Sequence, residues 1–157
     1  MLVKDVMSKD VITLGEEENM AQLIAKFRKF NFHTLPVVDE ERKILGVVNS
    51  EDIMKVFLPH SPSLEKLLKS THLHNIEEED ILDAELPVNI GTTVKVSDIM
   101  DTHVITIEEH KTIADARVLM KSHNIERILV IRNNTLVGVI TLFDIIIAIF
   151  KERNVID

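Results

Sequence analysis

The chain has 157 residues, with 18 Lys and Arg against 26 Asp and Glu, a formal net charge of −8, and no cysteine. Disulfides, thiolate nucleophiles, Cys-ligated zinc and iron–sulfur clusters are therefore excluded, and the negative charge argues against broad binding to duplex nucleic acid, whose affinity comes largely from Lys and Arg neutralising phosphates. The four glycines (Gly15, Gly46, Gly91, Gly138) are too far apart to write a G-x-G-x-x-G or P-loop.

From the N-terminus, Met1 to Met7 lacks the apolar stretch of a signal peptide. Val11-Ile-Thr-Leu14 is a short β-rich run. Met20, Leu23, Ile24, Phe27 and Phe30 then recur at the spacing of one apolar helix face, opened by the capping pair Asn19-x-x-Gln22. Leu35-Pro-Val-Val38, a polar turn and residues 44–48 predict two further strands, with a closing helix from about Asn49. Residues 59–93 form an insert with a short predicted helix over 63–70, an acidic stretch at Glu77-Glu-Glu-Asp80, and Pro87 and Gly91 punctuating its exit. His72 and His74 near that stretch suggest a metal site; a solvated acidic helix start is the simpler reading.

The pattern then repeats. Val104-Ile-Thr-Ile107 is a second β-rich run, Thr112-x-x-Asp115 a second capping pair, and Ile113, Ala116 and Met120 a second helix face. Ile128-Leu-Val-Ile131 and residues 136–140 follow as strands, with a last helix from about Thr141. Aligned on itself, the sequence matches Asp5-Val-Met7 with Asp98-Ile-Met100, Val11-Ile-Thr13 with Val104-Ile-Thr106, and Gly46-Val47 with Gly138-Val139. Each half thus reads β-α-β-β-α with a short N-terminal helix, an α/β (α+β) class. One half alone would bury its sheet poorly, so the two are expected to pair about a pseudo-two-fold axis. The longest apolar run, residues 145–150, falls far short of the roughly 20 residues that span a bilayer, and a cytoplasmic location with no membrane partner is expected.

These residues resemble the CBS-domain family, specifically a tandem pair (a Bateman module). The Asp-hydrophobic-Met triplets, the Leu-Pro-Val-Val strand, and the closing segments 46–52 (Gly-Val-Val-Asn-Ser-Glu-Asp) and 138–144 (Gly-Val-Ile-Thr-Leu-Phe-Asp) carry the resemblance. It covers residues 1–58 as one repeat and 94–152 as the other, with 59–93 as linker. It implies a regulatory module, with no required cofactor, that binds AMP, ADP, ATP or S-adenosylmethionine in clefts between the repeats. It also implies a homodimer. A ligand-free scaffold that recruits a protein partner is the alternative.

Carried onto this chain, the resemblance makes Asp144 the ribose residue and Thr141 a sugar or phosphate contact, with Phe143 between them. Adenine would lie against Val104, Ile105, Ile125 and the Ile128 strand, and Arg127, next to Glu126, would meet phosphate. The bland reading of Thr141-x-x-Asp144 is a helix cap, and that of Arg127 a surface ion pair with Glu126. A weaker or differently selective site would comprise Val11, Ile12, His33, Thr34, Asn49 and Asp52, because Asn49 stands where Thr or Ser is expected and Thr34 where the other half has Arg127. No nucleophile–base constellation or G-x-S-x-G is present, so neither catalytic nor metal-ligating residues are expected.

Overall fold

The computed structural model describes residues 1–30, 34–56 and 89–157. Two compact bodies emerge, and neither coincides with a sequence repeat. The first comprises Met1–Thr13, Val38–Ile44 and His103–Asp157; the second comprises Leu14–Val37 and Leu45–Thr102.

In the first body, β3 (Thr106–Glu108), β4 (Arg127–Arg132) and β5 (Thr135–Thr141) form a sheet in that order. β3 runs parallel to β4, and β4 antiparallel to β5. Asn133 and Asn134 both take positive φ between β4 and β5, a conformation that matches the right-handed twist of a hairpin and that Asn tolerates. β5 alternates, burying Leu136, Gly138 and Ile140, whereas Ile128, Leu129 and Val130 of β4 are buried in succession, as expected of a strand covered on both faces.

Helix α6 (Ile113–His123) makes the crossover from β3 to β4. It starts on the reciprocal Thr112/Asp115 cap and stops at Asn124 in the left-handed region. With α7 (Leu142–Glu152), these elements enclose a core of Val3, Ile107, Ala116, Met120, Ile128, Val130, Ile140 and Ile145.

Val3 enters that core from the N-terminal strip. The one-turn helix α1 (Val3–Val6) is closed by Asp5, whose carboxylate accepts from the Leu2 N–H at 3.0 Å. Val3 N–H donates to the Lys111 carbonyl at 2.8 Å, and Ser8 and Val139 exchange two backbone hydrogen bonds at 2.9 Å each. The strip therefore lies against β5 at Gly138, where a Cβ would stand 2.6 Å from the Met7 sulfur and 2.7 Å from the Ser8 carbonyl oxygen.

The second body repeats the device. It holds α2 (Met20–Phe30), the paired strands β1 (Thr34–Val38) and β2 (Ile44–Asn49) apart from Val38 and Ile44, α3 (Ser50–Lys55), and the one-turn helices α4 (Ile90–Thr93) and α5 (Val96–Ile99). Leu14, Met20, Leu23, Leu35, Val37, Val48 and Val96 are buried. Asp98 accepts from the Lys95 N–H at 2.9 Å, closing α5. Val47 and Asp101 exchange backbone bonds at 2.9 and 2.8 Å, and a Cβ on Gly46 would stand 2.7 Å from the Asp101 carbonyl oxygen and 3.0 Å from the Met100 sulfur. The Asp-hydrophobic-Met triplet of each repeat thus covers the glycine of the other repeat.

Several expectations change. Residues 11–13 form no strand: only Leu14 bridges Val37, because the chain leaves the first body for the second between Thr13 and Leu14 and no ladder spans that change. The run from Val104 becomes a strand only at Thr106. Ile24, placed by spacing on the apolar face of α2, is 42% exposed. Gly91 lies inside α4 and not in a turn. The helix over 63–70, His72, His74, the acidic stretch 77–80 and Pro87 lie outside the described residues.

Two outcomes follow from these contacts. Gly138→Ala is expected to cost about 1–3 kcal/mol and to lower the melting temperature; adding Met7→Ala will not restore it, because the Ser8 carbonyl oxygen remains in the way. The second concerns Glu109, after β3, which accepts from Nη2 of Arg132 at 2.8 Å and also from its Nε. That hydrogen bonding holds the Glu109 carboxyl below the ordinary glutamate value. Its contribution to stability is present above the unfolded value of about 4.3 and is lost as pH falls through the lower folded value. Melting curves from pH 6 down to 3 should therefore show wild type losing stability more steeply than Glu109→Gln.

Candidate functional site

Strand directions decide which residues meet at one end of the first body's sheet. Thr106 is registered with Leu129 and Arg127 with Thr141. Residues 104–105, the start of β4 and the end of β5 consequently converge. There Thr141 caps α7: its hydroxyl accepts from the Asp144 N–H at 3.1 Å, and Oδ2 of Asp144 accepts from the Thr141 N–H at 2.8 Å and the Thr141 hydroxyl at 2.6 Å. Leu142 N–H donates to the Glu126 carbonyl at 2.9 Å, fastening the start of α7 to the lead-in of β4. Ile125 N–H donates to the Met120 carbonyl at 3.0 Å, placing that residue where α6 ends. Val104, Ile105 and Ile125 are half-buried, Glu126 and Arg127 exposed, and Phe143 is 67% exposed in the first turn of α7.

The cap alone is not distinctive. Thr112 and Asp115 make the same three bonds at 2.9, 2.8 and 3.1 Å at the start of α6, and donation from the Thr112 N–H and hydroxyl holds the Asp115 carboxyl below its ordinary value. What sets Thr141 and Asp144 apart is their surroundings: the cap sits at the sheet end, with Arg127 on the neighbouring strand. As at Asp115, all carboxylate bonds of Asp144 fall on Oδ2, and among the described residues Oδ1 accepts none. The capping and binding readings are therefore compatible, since one oxygen serves the helix while the other remains available.

The residues of the weaker site are divided between the two bodies. Asn49 and Asp52 form a reciprocal cap on α3 at 2.9 and 3.1 Å, with Asp52 buried, and they share the second body with Thr34 at the start of β1. Val11 and Ile12 belong to the first body. His33 lies outside the described residues.

Val11 and Ile12 instead line a cavity of about 570 Å³ in the first body, at the far end of its sheet from Thr141. Met7, Leu136 and Val137 complete the apolar part of its wall, and Lys9, Asp10, Arg42 and Arg132 supply the charges. None of those four charged residues was singled out by sequence pattern. The available signal was adjacency: Lys9 and Asp10 directly precede Val11, and Arg132 ends a strand. No helix among the described residues is long and apolar enough to cross a membrane, and no group of three His, Cys, Asp or Glu among them is placed to hold a metal ion.

Comparison with known proteins bears on the duplicated pattern. The CBS domain family profile matches residues 3–59 and 96–151. An uncharacterised protein of Methanocaldococcus jannaschii is 32% identical over 162 aligned positions, which span 95% of this chain and 91% of that protein. Among solved structures, CBSX2 in complex with AMP is similar with a TM-score of 0.69 at 17% identity, covering 97% of this chain and 98% of that one. A CBS domain pair in complex with 5′-methylthioadenosine and S-adenosyl-L-methionine gives a TM-score of 0.64 at 24% identity, with 97% and 98% covered. Two matched segments, each with its triplet, its glycine and its capped closing helix, lead to one assignment: the chain belongs to the CBS-domain family and carries a tandem pair of its domains.

Proposed function

We propose that the chain is a regulatory module that binds an adenosine-containing ligand, AMP, ADP, ATP or S-adenosylmethionine, and performs no catalysis on it. The observation that carries this reading is Asp144, fixed by its cap at a sheet end with Oδ1 unengaged among the described residues. A carboxylate held in this way suits a ribose diol, whose two hydroxyls both donate. Arg127, registered with Thr141, is suited to phosphate, while Val104, Ile105 and Ile125 offer an apolar slot to the base. Structural neighbours that hold AMP or S-adenosylmethionine support the ligand class. Regulation requires the ligand to bind two arrangements of the protein with different affinity, typically 1–3 kcal/mol apart.

The Thr141 and Asp144 site fills first; Thr34, Asn49 and Asp52 contribute the weaker one. A thermal-shift panel tests both statements, because a ligand at 100 times its dissociation constant adds about 2.7 kcal/mol. With S-adenosylmethionine, which carries no phosphate, Asp144→Ala should abolish the shift, measured against its own unliganded baseline, and Asp52→Ala should only reduce it. Equal loss in the two variants overturns the ranking. Absence of a shift with every adenosine compound overturns the reading in favour of a ligand-free scaffold.

A second copy of the chain is the proposed partner of α7. Its outer face exposes Leu142, Phe143, Ile146 and Phe150 at 36, 67, 39 and 45%, an apolar stripe at helical spacing. Sedimentation should find a dimer that Ile146→Glu converts to monomer; an unchanged mass in the variant removes α7 from the interface.

A further inference from the structure

The cavity at the far end of the first body's sheet has a charge at odds with the rest of the molecule. In a chain of net charge −8, three of the four charged residues on its wall are cations: Lys9, Arg42 and Arg132. Arg132 is oriented by the two hydrogen bonds it gives Glu109 through Nε and Nη2, so its Nη1 is the edge left over. Arg42 gives Nε to the Leu136 carbonyl at 3.3 Å, and its own carbonyl accepts from the Leu136 N–H at 2.9 Å. The other guanidinium N–H groups of Arg42, and the Lys9 ammonium, make no bond among the described residues. Asp10 and Glu109 are the opposing charges. Glu109 is engaged by Arg132, and Asp10 shares the wall with Lys9 and Arg42.

The backbone singles out Arg42 a second time. Asp39 organises the β1–β2 turn by accepting from the Glu41 and Lys43 N–H groups at 2.9 Å each, and Arg42 closes it with φ of 62°. That is the left-handed position of a three-residue hairpin loop, where Gly is relaxed and a long side chain is strained by about 1–2 kcal/mol. The corresponding turn of the other repeat places Asn133 and Asn134 in that region. Strain of this kind gathers at binding sites, and here the strained residue carries a guanidinium on the wall of a cavity.

We propose that this cavity is an anion site that selects phosphorylated ligands, with Arg42 as the specificity-determining residue and Arg132 and Lys9 beside it. The ring system of the ligand lies on Val11, Ile12, Leu136 and Val137. The volume of about 570 Å³ is within the range of about 300–1,000 Å³ that small-molecule sites occupy. Leu136 is five residues from Thr141 along β5, about 17 Å, so a nucleotide seated here is a different molecule from one held at Asp144. The identity of the ring as adenine rests on the function proposed above; the preference for phosphate does not. The site therefore favours adenine nucleotides over S-adenosylmethionine or 5′-methylthioadenosine, which offer a sulfonium or a neutral thioether where the phosphates would lie.

Calorimetry and thermal shift with tripolyphosphate, ATP and 5′-methylthioadenosine test this on the full chain and on Arg42→Gly, Arg42→Asn and Asp144→Ala. Gly and Asn both accept the left-handed turn, so these variants should melt no lower than wild type while their affinity for tripolyphosphate falls about tenfold or more. The same affinity should survive Asp144→Ala and weaken as salt is raised. Retention of wild-type tripolyphosphate affinity in both Arg42 variants overturns the proposal, as does ATP and 5′-methylthioadenosine binding with equal affinity in Asp144→Ala, where only the cavity is left to tell them apart; either result leaves the adenosine reading standing. Binding of tripolyphosphate that depends on Arg42, with no response to any adenosine compound, upholds the anion site and overturns the adenosine reading.

Discussion

At Gly138 and Gly46 the backbone is approached so closely that a methyl group would lie 2.7 Å from a carbonyl oxygen, well inside any tolerated contact. Each approach is fixed by a pair of reciprocal backbone hydrogen bonds, Ser8 with Val139 and Val47 with Asp101. Each is covered by a methionine, whose flexible thioether fills an irregular space well. The aspartate two residues earlier closes the single helical turn that sets the methionine in place. The triplet and the glycine are thus two halves of one contact, made twice. The contact joins sequence that the repeats keep apart, so each compact body takes its N-terminal strip from the other repeat.

Helix starts are the second recurring device. Asp52, Asp115 and Asp144 each stand three residues past a capping Asn or Thr and return a hydrogen bond to its backbone. Several of the acidic side chains behind the negative charge therefore lie at the positive ends of helix dipoles, where a carboxylate is stabilised. A two-oxygen acid in that position is anchored without being saturated. The α6 cap is the internal control, since it has the geometry of the α7 cap but not its place at the sheet end beside Arg127.

Local patterns were legible where neighbours in sequence are also neighbours in space. The Asn19/Gln22, Thr112/Asp115 and Thr141/Asp144 pairs could be read because a cap is complete within four residues. The strands 34–38 and 127–132 could be read because their apolar residues run together. Val11 to Thr13 misled because β-branched side chains signal compatibility with a sheet and not the presence of a partner strand. The exchange of strips could not be read at all: Met7 matches Gly46 and Gly138 equally well in sequence, and only packing decides between them. Arg42 was hidden for another reason. Glu40-Glu41-Arg42 contains neither Gly nor Asn, so nothing in it announces a left-handed residue, and the cavity it lines is assembled from three separated stretches of chain.

The exchange also governs the order in which the molecule can be completed. Ser8 leaves the ribosome about 130 residues ahead of Val139, yet the two share paired hydrogen bonds. At about 5–20 residues per second, the strip waits roughly 7 to 26 seconds for the strand it will lie against. During that interval its apolar residues, Val3 among them, have no native place to go. Contacts this distant in sequence carry a large loop-closure cost before they return any stability. The first body therefore closes only after synthesis of β5, and until then a nascent chain of this protein presents the strip around Val3 to Ser8 to its surroundings without its native partner.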